Sequence, residues 1–335
     1  MRRLKILTWH VHGNYLLYLS QTPHEFYLPV RPGSPEGYTG RAGAFPWPDN
    51  VHEVPADQVR ALDLDCILFQ SRKNYEEDQY QILSSWQQKL PRIYLEHDPP
   101  QENPTNQRHW VDDPNVLLVH VTPFNRLMWD SGRTPTRVID HGVFLMQDVR
   151  YTGELKRGIV VINHLQQRGR RLGVDVFEQT RKHIPLDLVG MEAEEMNGLF
   201  EVQPPKLPAF MARYRFFFNP IRWTSMGLAV IEAMMVGLPI IGLATTEMSA
   251  AIQNGVSGFV KTDVSRLIEH MLDLIQHPEE ARRLGEGARR YATERFNIHR
   301  FVRDWNAAFG LVTVNPVSLR PSFIHQFVEP LGVSA

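Results

Sequence analysis

Apolar residues fall into two patterns along this chain. Short continuous runs such as CILFQ (Cys66–Gln70), GIVVI (Gly158–Ile162) and LPIIG (Leu238–Gly242) are bounded by turn residues, while longer stretches repeat apolar positions at helical spacing. Runs apolar on both faces suit strands of a buried parallel sheet. In the first half the pattern predicts strands at Lys5–Val11, Glu25–Val30, Cys66–Gln70, Arg92–Glu96, Leu117–Val121 and Arg137–Asp140, with helices over Ala56–Leu62 and Tyr75–Leu90. In the second half it predicts strands at Gly158–Asn163, Leu186–Val189, Phe216–Asn219, Pro239–Gly242 and Gly258–Lys261. Helices there are expected over Arg168–His183, Leu207–Tyr214, Gly227–Val236 and Met248–Asn254, and the region from Val264 to Gly310 reads as helical. Alternation of strand and helix implies α/β architecture with doubly wound parallel sheets.

At 335 residues the chain exceeds one ordinary core and suits two domains. The polar, turn-rich stretch Gln147–Arg157 divides it, giving Rossmann-like units at 1–150 and 151–310 that face each other across a cleft. Residues 311–335 are expected to pack back on the first unit. Ligands of such sheets sit at the carboxyl ends of the strands. The Pro- and Gly-rich stretch Arg31–Asn50 and the aperiodic Asp98–Asn115 read as long loops, a common place for function.

Composition narrows the function classes. Hydrophobic residues make up 43% and charged residues 22%, and the formal net charge of -1 offers no global positive field for nucleic acid. The single cysteine, Cys66, sits in an apolar strand pattern and reads as a packed thiol in a reducing compartment. The opening MRRLKILTWHV lacks a signal-peptide core, and Gly237-Leu238-Pro239 splits the most apolar stretch into pieces too short to span a membrane. Cytoplasmic residence is the expectation.

Polar residues recur where first-half strands end: His12-Gly13, His97, Thr122 and His141-Gly142. On neighbouring parallel strands these would line one edge of one sheet. His97 is the preferred functional residue, because Asp98-Pro99-Pro100 stops its strand sharply and leaves the imidazole at the rim. His10 and His12 could share a face toward a metal, but no third ligand stands at suitable spacing, and no metal or other cofactor is expected. Gly13 allows close backbone approach to a phosphate or sugar. Neither a G-x-G-x-x-G fingerprint nor a P-loop motif is present.

Two features of the second half point to a nucleotide. INHLQQRGRRLG places Arg168, Arg170 and Arg171 at or near a predicted helix start, where they oppose the helix dipole unless an anion lies among them. Glu232 is the lone charge in GLAVIEAMMVGLPIIGLATT, on a helix apolar nearly all round. An ionised carboxylate there needs partners, since an unpaired buried charge costs several kcal/mol. An arginine such as Arg213, Arg215 or Arg222 could serve, or a ligand carrying paired hydroxyls. A ribose held by Glu232, with a phosphate at the N–H groups of the helix start, describes one bound nucleotide.

The residues from Pro220 to Pro239 resemble the signature of the retaining group 1 glycosyltransferases, family 4, which have the GT-B fold. PIRWTSMGLAVIEAMMVGLP places Pro220, Gly227, Leu228, Glu232, Ala233, Gly237 and Pro239 in register with the family pattern. VIDHGVF, NGVSGFV and the C-terminal HPEEARRLGEGARRYATERFNIHRFVRDW also resemble family segments, and KILTWHVHGN and LEHDPP stand where the family has its first glycine loop and active-site histidine. The resemblance covers most of the chain and is strongest from about residue 205 to 305. It implies transfer of a sugar from a nucleotide-diphosphate donor, UDP- or GDP-linked, to a saccharide or other small acceptor, with retention and without a metal. By the same resemblance Glu232 holds the ribose, Gly227 and Leu228 contact the diphosphate, His97 lies near the reaction centre, Gly13 sits beside the diphosphate or acceptor, and Arg168 or Arg171 neutralises the phosphates. The sequence departs from the family at Thr224, where the pattern has a glutamate that contacts the donor sugar. A nucleotide-sugar epimerase or hydrolase, a non-catalytic nucleotide-sugar binding protein and a peripheral enzyme with a lipid-linked acceptor are the alternatives. The first helix, NYLLYLSQ, carries no lysine or arginine for a membrane surface.

Overall fold

The computed structural model describes residues 2–314 apart from 146 and 147. Two all-parallel sheets are built, one by each half of the chain. The first has β1 (Lys5–Thr8), β2 (Glu25–Val30), β3 (Val51–Pro55), β4 (Cys66–Phe69), β5 (Arg92–Glu96), β6 (Val116–His120) and β7 (Thr136–Val138) in the order β3-β2-β1-β4-β5-β6-β7. The second has β8 (Leu155–Val161), β9 (Leu186–Val189), β10 (Tyr214–Asn219), β11 (Ile240–Leu243) and β12 (Gly258–Lys261) in the order β12-β11-β10-β8-β9. The order of connection reverses between β1 and β4 in the first sheet and between β8 and β10 in the second. Those are the topological switch points where such sheets open a crevice. β4, β6, β10 and β11 are buried along their whole length, as their continuous apolar runs require.

The first half is poorer in helix than its periodicity suggests. It holds α1 (Gly13–Leu19), α2 (Gln79–Ile82) and α3 (Pro123–Met128). The expected helix over Ala56–Leu62 is a single tight turn at Val59–Ala61, and that over Tyr75–Leu90 breaks into a wide turn, α2 and a further turn at Gln87–Lys89. Leu83 is extended, and the Gln87 amide donates to the carbonyls of Val59 and Leu62 at 2.9 and 3.0 Å while its oxygen accepts from Ser84 N. A side chain there takes over backbone partners that a continuous helix would have used. β3 is an addition that alternation did not reveal.

The second half adds α4 (Leu165–Arg168), α5 (Val174–Thr180), α6 (Leu207–Met211), α7 (Leu228–Val236), α8 (Met248–Ala251), α9 (Val264–Gln276), α10 (Pro278–Arg295) and α11 (Ile298–Val314). The helix expected over Arg168–His183 is two pieces, separated at Gly169 and Gly173, whose φ values are +59° and +84°. A side chain at Gly173 would also strike the Pro220 carbonyl. Arg168 therefore closes α4 rather than opening a helix, and Arg170 and Arg171 lie in the intervening turn. α7 is buried from Val230 to Val236.

One apolar core runs through both halves, from Ile6, Leu16 and Phe26 to Ile231, Met234, Phe301 and Trp305. The chain returns to the first half along α11: Trp305 Nε1 donates to Tyr15 OH at 3.1 Å, and Phe309 packs edge-on against His24 and Phe26. This contact starts at Phe301, earlier than the 311–335 segment assigned to it from sequence, of which 315–335 lie outside the described residues. Gln147, at the expected boundary, also lies outside them. At the crossing Arg295 bridges Asp140 (3.0 and 3.1 Å) and buried Glu247 (2.6 Å), and Arg300 donates to the carbonyls of Asp140 and His141.

Candidate functional site

Strand ends of both sheets converge on a cavity of about 630 Å³ between the two halves. β1 delivers His12 and Gly13, β5 delivers His97 and Asp98, and the chain beyond β7 delivers His141. From the opposite side come Arg168 after β8, Thr224 after β10, and Gly227, Leu228 and Glu232 at the start of α7. Seven of the eight donor-site residues assigned from sequence (Gly13, His97, Arg168, Thr224, Gly227, Leu228 and Glu232) thus line one cavity; Arg171 does not, and its guanidinium bonds instead to Gln101 of the first half.

His97 is held from below. Gln70 Nε2 donates to Thr8 Oγ1 and to the Trp9 carbonyl, both at 2.9 Å, which turns Gln70 Oε1 toward His97 Nε2 at 3.2 Å. Nε2 is then the protonated nitrogen and Nδ1 the acceptor. Loss of water around the ring, then the neighbouring His12 and His141, holds His97 well below its ordinary pKa, so it is neutral at pH 7. The ring meets His12 and Tyr15 edge to face at centroid distances of 4.2 and 5.0 Å. Burial lowers His141 to about 4. His10 is turned to the Gly40 carbonyl and Trp47. Among the described residues no group of three or more His, Cys, Asp or Glu side chains is placed to hold a metal ion.

Glu232 has partners other than those expected. Asn14 Nδ2 and Tyr18 OH, one turn apart on α1, each donate to Oε1 at 2.8 Å. Arg213 is engaged by Glu154, Arg215 by the carbonyls of Gly153, Leu274 and Ile275, and Arg222 by Asp175, so none of the three reaches Glu232. Burial raises the Glu232 carboxyl to about 7, against the two hydrogen bonds, which lower it. Oε2 makes no hydrogen bond among the described residues.

Gly227 is extended at the head of α7, its side-chain position opens on empty space, and no side chain caps the first turn. The N–H groups there lack an intrahelical acceptor and remain available to a ligand. Arg168 is exposed to the cavity and makes no side-chain hydrogen bond among the described residues. Thr224 Oγ1 donates across the cleft to Asp98 Oδ1 at 3.0 Å, and its neighbour Trp223 donates from Nε1 to the Pro100 carbonyl at 2.8 Å. Asn14, Tyr18 and Asp98 were missed from sequence. Asn14 and Tyr18 show the four-residue spacing of one helix face, but nothing local marks that face as meeting residue 232.

Comparison with known proteins bears on the fold and on the second half of the chain. Residues 159–277 match the family model described as glycosyl transferases group 1, a stretch holding Arg168, Thr224, Gly227, Leu228 and Glu232. Trehalose synthases of Pyrococcus horikoshii and Thermococcus litoralis are each 29% identical over 122 residues, which is 36% of this chain. That match spans 29% of the length of each relative. Among solved structures, sucrose-phosphate synthase from Thermosynechococcus elongatus superposes with a TM-score of 0.66 at 14% identity, covering 92% of this chain and 98% of that one. Anabaena HepE, solved in complex with UDP-glucose, superposes with a TM-score of 0.66 at 12% identity over 92% of this chain and 100% of that one. The fold is GT-B: two doubly wound parallel-sheet domains facing a cleft. Over residues 159–277 the chain is similar to the group 1 glycosyl transferases.

Proposed function

We propose that the chain is a glycosyltransferase that moves a sugar from a nucleotide-diphosphate donor to a hydroxyl-bearing acceptor with retention of anomeric configuration. The observation that carries this reading is the meeting of an uncapped helix start, a buried carboxylate, an arginine without a side-chain partner among the described residues and a neutral histidine in one cleft cavity. Glu232 Oε2 accepts from the ribose. The N–H groups at Gly227 and Leu228 and the Arg168 guanidinium face the diphosphate, whose charge grows as the glycosidic bond breaks; donors aimed there stabilise the transition state. The sugar then lies toward His97 and Thr224, with the acceptor entering from the Gly13 side. The leaving phosphate oxygen takes the acceptor proton, so no protein base is required. The known structures solved with UDP-glucose or UDP favour a UDP-linked donor for this chain as well.

The test is release of nucleotide diphosphate from a panel of UDP-, GDP-, ADP- and TDP-sugars by the purified chain, with and without saccharide acceptors. Consumption of one donor that rises with an acceptor, giving an α-linked product from an α-linked donor, supports the proposal. Free sugar released without any acceptor dependence would identify an epimerase or hydrolase instead. Nucleotide binding without turnover would identify a binding protein. Among the described residues no helix is long and apolar enough to cross a membrane.

A further inference from the structure

Asp98 plays no part in the reading above, yet it is the most deliberately placed carboxylate in the cavity. Its backbone is fixed at both ends: its N–H donates to Glu96 Oε1 at 2.9 Å and its carbonyl accepts from Trp129 Nε1 at 2.8 Å. Two buried prolines, Pro99 and Pro100, follow and stiffen the strand exit. Its side chain then reaches across the cleft, where Oδ1 accepts from Thr224 Oγ1. Oδ2 makes no hydrogen bond or ion pair among the described residues. The next contacts in the same segment, Trp223 to the Pro100 carbonyl and Arg171 to Gln101, clamp residues 98–101 to the second domain.

The other carboxylates lining the cavity are differently occupied. Glu232 is bonded to α1, and Glu201 is exposed beside Val202 and Pro204. Asp98 alone of the three adjoins His97 in the chain and Thr224 in space. Thr224 and Asp98 line the same cavity as Gly227 and Leu228 at the start of α7, three residues beyond Thr224. A carboxylate oxygen left without a protein partner at such a point is an acceptor for hydroxyl protons.

We infer that Asp98, oriented by Thr224, is a specificity-determining residue that accepts hydrogen bonds from ring hydroxyls of the transferred sugar, so that sugar selectivity is assembled from both domains. The inference rests on the proposed donor site. It makes the chain selective for donors with free ring hydroxyls over their deoxy counterparts. It also accounts for a threonine at position 224: a hydroxyl there can donate to Asp98, whereas a second carboxylate would repel it.

The test is equilibrium titration of the full chain with free nucleotides and with their sugar conjugates. UDP, GDP, ADP and TDP identify the nucleotide; UDP-glucose, GDP-mannose, ADP-glucose and TDP-glucose, with their 3-, 4- and 6-deoxy analogues, are the sugar probes. Asp98→Asn is expected to weaken the preferred nucleotide sugar by about tenfold to a hundredfold, the usual worth of a hydrogen bond to a charged group. Its affinity for the free nucleotide should stay within about twofold. Wild type should lose a comparable factor for one deoxy analogue, and Asp98→Asn should lose little more on that same analogue. Thr224→Val, which keeps the shape and removes the donor, should shift the same ratio less. Equal weakening of nucleotide and nucleotide sugar, or deoxy losses that multiply fully with Asp98→Asn, would overturn the inference while leaving the donor site standing. Failure of wild type to bind any nucleotide would overturn both.

Discussion

Replacing Glu232 by glutamine should make the protein more stable in alkaline buffer, and the size of the gain follows from its surroundings. Glu232 is 4% exposed and the pKa of its carboxyl is raised from the ordinary 4.5 to about 7, chiefly by burial. The folded state therefore holds the proton more tightly than the unfolded chain does. Stability from this group is fully present below the unfolded value and is lost as pH rises through about 7. A difference of that size corresponds to roughly 3 kcal/mol, most of it lost between pH 5 and pH 8. Glutamine keeps an oxygen for Asn14 and Tyr18 and cannot ionise. Urea unfolding of wild type and Glu232→Gln at pH 5, 6, 7 and 8 should show the variant gaining about 2–3 kcal/mol on wild type across the series. A difference that does not change with pH would refute the reasoning, because it would mean that Glu232 is no harder to ionise in the fold than outside it.

Three further substitutions probe the frame of the site. Glu96 is buried against His109 at 3.0 Å and raised to about 8 by burial, so its contribution is likewise lost as pH rises through about 8; Glu96→Gln should unfold at higher urea than wild type at pH 9 and show a smaller difference at pH 6. Arg295→Met removes the shared partner of Asp140 and buried Glu247 and should cost about 3 kcal/mol in unfolding free energy, since it strands a buried charge at the domain crossing. Gly258 sits at φ +148° with the Ile240 carbonyl 1.9 Å from where a Cβ would stand, so Gly258→Ala should cost about 3 kcal/mol or more, read as a lowered thermal midpoint.

The second domain was more legible in the sequence than the first, for a physical reason. β10, α7 and β11 are buried on every side, so burial shows directly as uninterrupted apolar residues. In the first domain VHEVP forms an edge strand whose pattern is half polar and ends in proline, and alternation over five residues did not distinguish it from loop. The arginine cluster was visible but the break in the helix expected to begin with it was not, because Gly169 and Gly173 turn the backbone where the side-chain pattern runs on. Glu232 declared itself as a buried charge, but its partners lie 218 and 214 positions away on α1, and local spacing carries no record of a contact between domains. The same limit hid Asp98, whose meaning depends on a hydroxyl 126 residues later.

Binding of UDP and GDP to wild type and Glu232→Gln, titrated calorimetrically at pH 8, tests the central claim most directly. If the buried carboxylate is kept for a ribose, at least one nucleotide binds wild type, and the variant binds it at least about tenfold more weakly while being the more stable protein. Equal affinity in the two proteins would contradict the account and leave Glu232 as a bond between domains.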